Sequence, residues 1–126
     1  MKVKILDVKG DEVRFSCSIG DGAGICKERN LVVGMSCDVE IDIFEILETR
    51  VNTEISKDKL LFWHYNGGVN MINVKVESID IDNSICLRLT KDFIVMVDYV
   101  ARGISVGDVL LIKVKLSEVA ITLIGV

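Results

Sequence analysis

The chain has no proline among its 126 residues and only one histidine, His64. Without proline there is no slow X-Pro isomerisation, and one common breaker of strands is missing. A single histidine excludes a histidine-rich metal site and any mechanism that needs two imidazoles. A cationic surplus is lacking too: 15 Lys and Arg stand against 19 Asp and Glu, a net charge of −4. Nucleic-acid affinity comes mainly from neutralising phosphates, so nucleic acid is not expected as a partner and a basic protein suits the balance better. No stretch approaches about 18 uninterrupted apolar residues, so no membrane helix is expected. The first ten residues alternate charge with hydrophobe and lack the apolar block of a signal peptide, which points to the cytoplasm. Cys17, Cys26, Cys37 and Cys86 include no C-x-x-C pair, the usual spacing of a zinc site, and read as reduced structural thiols. No metal or cofactor is expected.

What the chain does have is strand pattern. Apolar residues recur at every second position, the mark of half-buried strands. Val13, Phe15 and Cys17 alternate with Arg14 and Ser16, and Val39, Ile41 and Ile43 alternate with Asp38, Glu40 and Asp42. Later runs are Ile72, Val74 and Val76; Ile85, Leu87 and Leu89; Phe93, Val95 and Val97; Leu110, Ile112, Val114 and Leu116; and Ile121 with Leu123. Gly10-Asp11 and Asp82-Asn83 suit tight hairpins, because these residues tolerate positive φ. Gly20-Asp21-Gly22-Ala23-Gly24 reads as a longer, flexible hairpin loop, and only 44–60 has room for a short helix. The alternation predicts that Val13, Phe15, Cys17, Ile85, Leu87 and Leu89 are buried while Arg14, Ser16 and Arg88 face solvent.

The two halves read alike. Val3–Val8, a Gly-Asp turn and Val13-Arg14-Phe15 match Val74–Ile79, an Asp-Asn turn and Ile85–Leu89. Each pair precedes a glycine-led strand, at Val33-Gly34-Met35 and at Val106-Gly107-Asp108. The expected fold is all-β: two packed, small, barrel-like units of OB or SH3 type, from an internal duplication. The expected units are 1–50 and 70–126, joined by a linker or seam at 51–69.

The run Ile104–Val114, in which Val106-Gly107-Asp108 opens an alternating strand, is similar to the strand openings of small S1-like, OB-like and SH3-like barrels. The resemblance implies a barrel and, from the family's nucleic-acid-binding members, an oligonucleotide surface. This sequence departs from those members: the second half offers only Phe93 and Tyr99 as aromatics, and Phe93 alternates inward, whereas base stacking needs aromatics on the exposed face. The N-terminal run from Phe15 through Gly34 to Ile43 resembles small bacterial proteins to which no activity is attached.

Several motifs invite a chemical reading. Gly20-x-Gly22-x-Gly24 has the wrong last spacing for a dinucleotide fingerprint, and Ile25-Cys26-Lys27 follows where a P-loop needs Lys-Ser/Thr. Asp80-Ile81-Asp82-Asn83-Ser84 hints at a calcium loop, but Ile85 stands where the sharp turn requires glycine. A Cys-His nucleophile pair has one histidine and mostly core-type cysteines to draw on, and no carboxylate pair is singled out among nineteen acids. Asp38, Glu40 and Asp42 project from one side of a strand, either as a landing site for a basic partner or as a charged edge that discourages sheet-to-sheet aggregation. Leu61-Phe62-Trp63-His64-Tyr65-Asn66-Gly67-Gly68 holds three of the seven aromatics. Phe62 and Trp63 either fill the seam between units too small to be stable alone or anchor a partner, with His64 and Tyr65 reaching solvent. No catalytic residue is assigned. The leading expectation is a non-enzymatic protein-binding module of immunity or antitoxin type that masks a basic partner, with His64, Tyr65, Asp38, Glu40 and Asp42 as contact residues. The alternative is an OB- or S1-like oligonucleotide-binding module. Oligomeric state is not legible in the pattern.

Overall fold

The computed structural model describes residues 1–100 and 103–125. The period-two runs become strands β1 (Lys2–Lys9), β2 (Glu12–Cys17), β3 (Gly20–Ile25), β4 (Ser36–Ile43), β5 (Thr53–Ile55) and β6 (Phe62–Asn66). They continue as β7 (Val69–Ile79), β8 (Ser84–Thr90), β9 (Phe93–Asp98), β10 (Val109–Lys115) and β11 (Val119–Gly125). One 3-10 turn, Leu116–Glu118, is the only helical element among the described residues. It lies outside 44–60, where room for a helix was expected. That segment is instead extended, with a turn at Arg50 (φ 69°) and strand β5.

In the first half β1, β2 and β3 form an antiparallel meander, and β4 returns antiparallel to β1. The fifth strand comes from the far end of the chain: β11 pairs antiparallel with β4 and parallel with β3 at Ala120↔Ile25, closing a five-stranded barrel. In the second half β7, β8 and β9 form the meander and β10 returns antiparallel to β7. Here the fifth position is filled from the first half. β5 pairs antiparallel with β10, and Leu47 just before it makes a parallel bridge to Tyr99 just after β9. Each half thus supplies four strands to its own barrel and a closing segment to the other. The closing strands β5 and β11 cross the expected division at 1–50, 51–69 and 70–126.

Irregularities recur in both halves. Ile5 accepts a hydrogen bond from the Gly34 amide and donates to the Met35 carbonyl; Val76 does the same with Gly107 and Asp108. Gly34 and Gly107 take the left-handed φ of 91° and 92°. A β-bulge falls between Ile5 and Asp7 and again between Val76 and Ser78. The Cys26 amide donates to the Asp11 carbonyl as the Tyr99 amide donates to that of Asn83.

One continuous apolar cluster runs through both barrels. Val13, Phe15, Ile85, Leu87 and Leu89 are buried, as the alternation requires. Cys17 is only half-buried, and Ser16 and Arg88 are half-buried instead of exposed. Arg88 is covered because its Nε donates to Glu77 Oε1 at 2.5 Å and its Nη1 to the Lys91 carbonyl. The glycine-rich run is not a loop. It is β3, held flat between β2 and its other neighbours, and the glycines are there for lack of room. A Cβ on Gly22 would stand 2.6 Å from both the Phe15 and Trp63 rings, and one on Gly24 would meet Val119 at 2.8 Å.

Candidate functional site

The aromatic segment splits by parity, since neighbours in a strand point to opposite faces. Trp63, on β6, is 2% exposed and packs edge-on against Phe15 with centroids 5.2 Å apart. A buried indole N–H needs an acceptor, and Trp63 Nε1 donates to Asn70 Oδ1 at 2.8 Å. The same amide side chain bonds β3 as a neighbouring strand would: Asn70 Oδ1 accepts from the Ala23 amide at 2.9 Å, and Nδ2 donates to the Ala23 carbonyl at 2.9 Å. Nδ2 also donates to the Val114 carbonyl at 3.2 Å. Asn70 therefore joins β3, β6 and β10 where β6 and β11 diverge along the outer edge of β3. This is a seam at Trp63. Phe62, expected beside it, lies half-buried on the opposite face.

His64 is exposed and shares the face of Phe62, opposite Met71 in the register, whereas Tyr65 is half-buried on the Trp63 side beneath Arg14, whose Cζ lies 5.6 Å from the ring centroid. The two residues expected to act together thus look in different directions. Asp38, Glu40 and Asp42 are all exposed on β4. Asp38 is paired on both sides, by β1 and β11, whereas the β1 side ends at Asp38 with the Met1 backbone reaching Val39, so beside Glu40 and Asp42 β4 is paired with β11 alone among the described residues. The row extends two positions beyond its acidic residues. The alternation continues past the strand end, so Asp38, Glu40, Asp42, Phe44 and Ile46 are successive outward positions of one extended segment.

Phe44 and Ile46 form one wall of a groove of ≈ 560 Å³ that also touches Val51, Val69, Lys113 and Lys115. Phe44, Ile46 and Val51 are 66%, 56% and 68% exposed, large values for side chains of that size gathered in one place. The groove lies where the two closing segments leave their own halves, and the Phe44 amide donates to the Glu118 carbonyl across that crossing. Periodicity held the signal for Phe44 and Ile46; their convergence with Lys113 and Lys115 needed the crossover.

Burial raises the pKa of the Cys17, Cys26 and Cys37 thiols, and nearby carboxylates (Asp21, Glu28 with Asp11, and Asp38 respectively) raise them further. Thiols held protonated are poor nucleophiles. Asp82 is shifted the other way, held below the ordinary carboxyl value by the Ser84 hydroxyl, which donates to it at 2.7 Å in the β7–β8 turn. Among the described residues no three His, Cys, Asp or Glu side chains gather in a metal-binding arrangement. Likewise, no helix among them is long and apolar enough to cross a membrane. Comparisons with protein families, curated proteins and solved structures return no match.

Proposed function

We propose that the protein is a non-enzymatic binding module whose target is a basic protein, masked in the manner of an immunity or antitoxin protein. One observation carries the reading: the acidic row Asp38, Glu40, Asp42 runs without interruption into the exposed apolar pair Phe44 and Ile46 at the mouth of the groove. Apolar anchors with a charged rim are the usual anatomy of a protein interface. The partner's Lys or Arg side chains lie along the row, and an apolar side chain enters between Phe44, Ile46 and Val51.

The five-stranded closure of the first barrel, read as OB-like, favours a second reading, an oligonucleotide-binding module, since that fold presents its β2–β3 face to nucleic acid. Here that face carries Arg14, Ser16 and Asp21, with Tyr65 already lying under Arg14. The matching β8–β9 face carries Arg88, Ile94 and Met96, with no aromatic ring for stacking. Capture from the native cell, comparing the wild type with Phe44→Asp and with the triple charge reversal D38K/E40K/D42K, separates the readings. A protein partner should be retained by the wild type, released as salt rises, and weakened about thirtyfold or more by Phe44→Asp with unchanged unfolding curves. Equal retention by all three chains defeats the reading, and nuclease-sensitive retention replaces it with the second.

A further inference from the structure

The two barrels differ at one place where their pattern should make them the same. Both β3 and β9 pair on one side with the preceding strand, and both are closed at their C-terminal end by the segment donated from the other half. Along the rest of its outer edge β3 is covered: β6 joins it at Gly20↔Trp63, and the Asn70 amide bonds both backbone groups of Ala23. Counting back from the matched pair Cys26 and Tyr99, the counterparts of Gly20 and Ala23 are Phe93 and Met96. Among the described residues nothing pairs with β9 there. The Asp98 carbonyl faces this edge, since it accepts from the Leu47 amide. By the period of two, the N–H and C=O groups of Ile94 and Met96 face it as well. The side chains of Ile94 and Met96 are each 50% exposed, whereas Ala23 is fully buried at the matching place.

From this we infer that the free edge of β9 is a second docking site, taking an extended segment of a protein partner as an added strand, in the place that β6 and Asn70 fill on β3. Strand addition to an open edge draws affinity from main-chain hydrogen bonds and specificity from alternate side chains. The alternate positions here are Ile94 and Met96, followed on the same face by the exposed Asp98, while the exposed Asp92 sits in the turn that leads into β9. The incoming strand is therefore apolar at its centre and carries Lys or Arg near both ends. A second copy of this chain fits poorly. Antiparallel pairing of β9 with itself about Val95 would bring the turn carboxylate of Asp92 up against Asp98 twice, and like charges brought together across a strand pair destabilise a sheet. The site uses other residues than the β4 row, so each proposal can fail alone.

The test uses the full chain and a short acetylated peptide, Lys-Lys-Val-Thr-Val-Thr-Val-Lys-Lys, followed by amide hydrogen exchange in NMR spectra. The Ile94 and Met96 amides should exchange rapidly in the free protein and slow about tenfold or more when the peptide saturates. Met96→Lys should weaken the peptide about tenfold with its unfolding curve unchanged, and so should replacing the peptide's lysines by glutamates. The proposal is overturned if those two amides are protected in the free chain at every concentration, which would mean a closed edge. Protection that grows with protein concentration alone would give the edge to a second copy. No protection on adding peptide, or protection confined to the β4 row, also sinks it, and equal binding of the glutamate peptide removes the basic requirement.

Discussion

Phe15 ties β2, β3 and β6 together through one ring. It is fully buried, supports Trp63 edge-on and leaves no space above Gly22. Phe15→Ala should therefore cost about 3–5 kcal/mol in denaturant unfolding. Its neighbour Arg14 is exposed but lies over Tyr65, so Arg14→Ala should cost about 0.5–1 kcal/mol, more than a bare surface position. Equal losses from the two would reverse the strand's faces. Asn70→Ala should cost about 3 kcal/mol or more in the same measurement, because it strips hydrogen bonds from Trp63, Ala23 and Val114 at once, each worth about 1–3 kcal/mol when left buried and unpaired. A loss below about 1 kcal/mol would mean that water replaces the amide. The buried thiols give a prediction in pH. Their folded pKa values are raised, so the stability they contribute is intact below the unfolded thiol value, about 8.5, and declines as pH climbs above it toward the folded values. The double variant C26V/C37V should show a shallower alkaline decline than the wild type, and parallel slopes would remove the thiols from the account.

Among elements, the short strands separated by turns were legible, and β3 was not. Period two marks a strand when one face is apolar, and that condition holds for β2, β4, β8 and β10. β3 has glycines where the inward apolar residues would be, because the aromatic ring that fills its inner face is Trp63 of β6, brought there by a contact distant in sequence. A local pattern cannot display a side chain contributed from elsewhere. Gly22→Ala should consequently behave as overpacking and cost about 1–3 kcal/mol, with perturbed Trp63 fluorescence. An unchanged protein would mean that the rings have room to move. Similar reasoning explains the candidate site. Asp38, Glu40 and Asp42 were legible as an outward row, and His64 as a solvent-facing residue, but the groove joins residues from 44–51 to β10. Only the crossing of the closing strands puts them together.

On the scale of the whole molecule, the exchange of closing strands makes the two barrels depend on each other. Cutting the chain between Lys57 and Asp58 leaves the N-terminal piece without β11 and the C-terminal piece without Leu47 and β5. Neither fragment should show a cooperative thermal transition in circular dichroism, while an equimolar mixture should recover one and elute as a single one-to-one complex. An N-terminal fragment that folds alone by turning its own 47–55 segment back onto β4 would show the exchange to be optional.

That exchange also sets a schedule for birth on the ribosome. Strands appear in chain order, at roughly 5–20 residues per second, and β1 to β4 emerge first with nothing to complete their ring. The second barrel has its closing segment already waiting when β10 emerges, so the later-made half can seal before the earlier one. The N-terminal barrel, first to be translated, is last to close. Until β11 arrives, the outer edge of β4 stays open to any passing strand, and a nascent chain stalled after β10 would display that edge as a mark for chaperones or proteases.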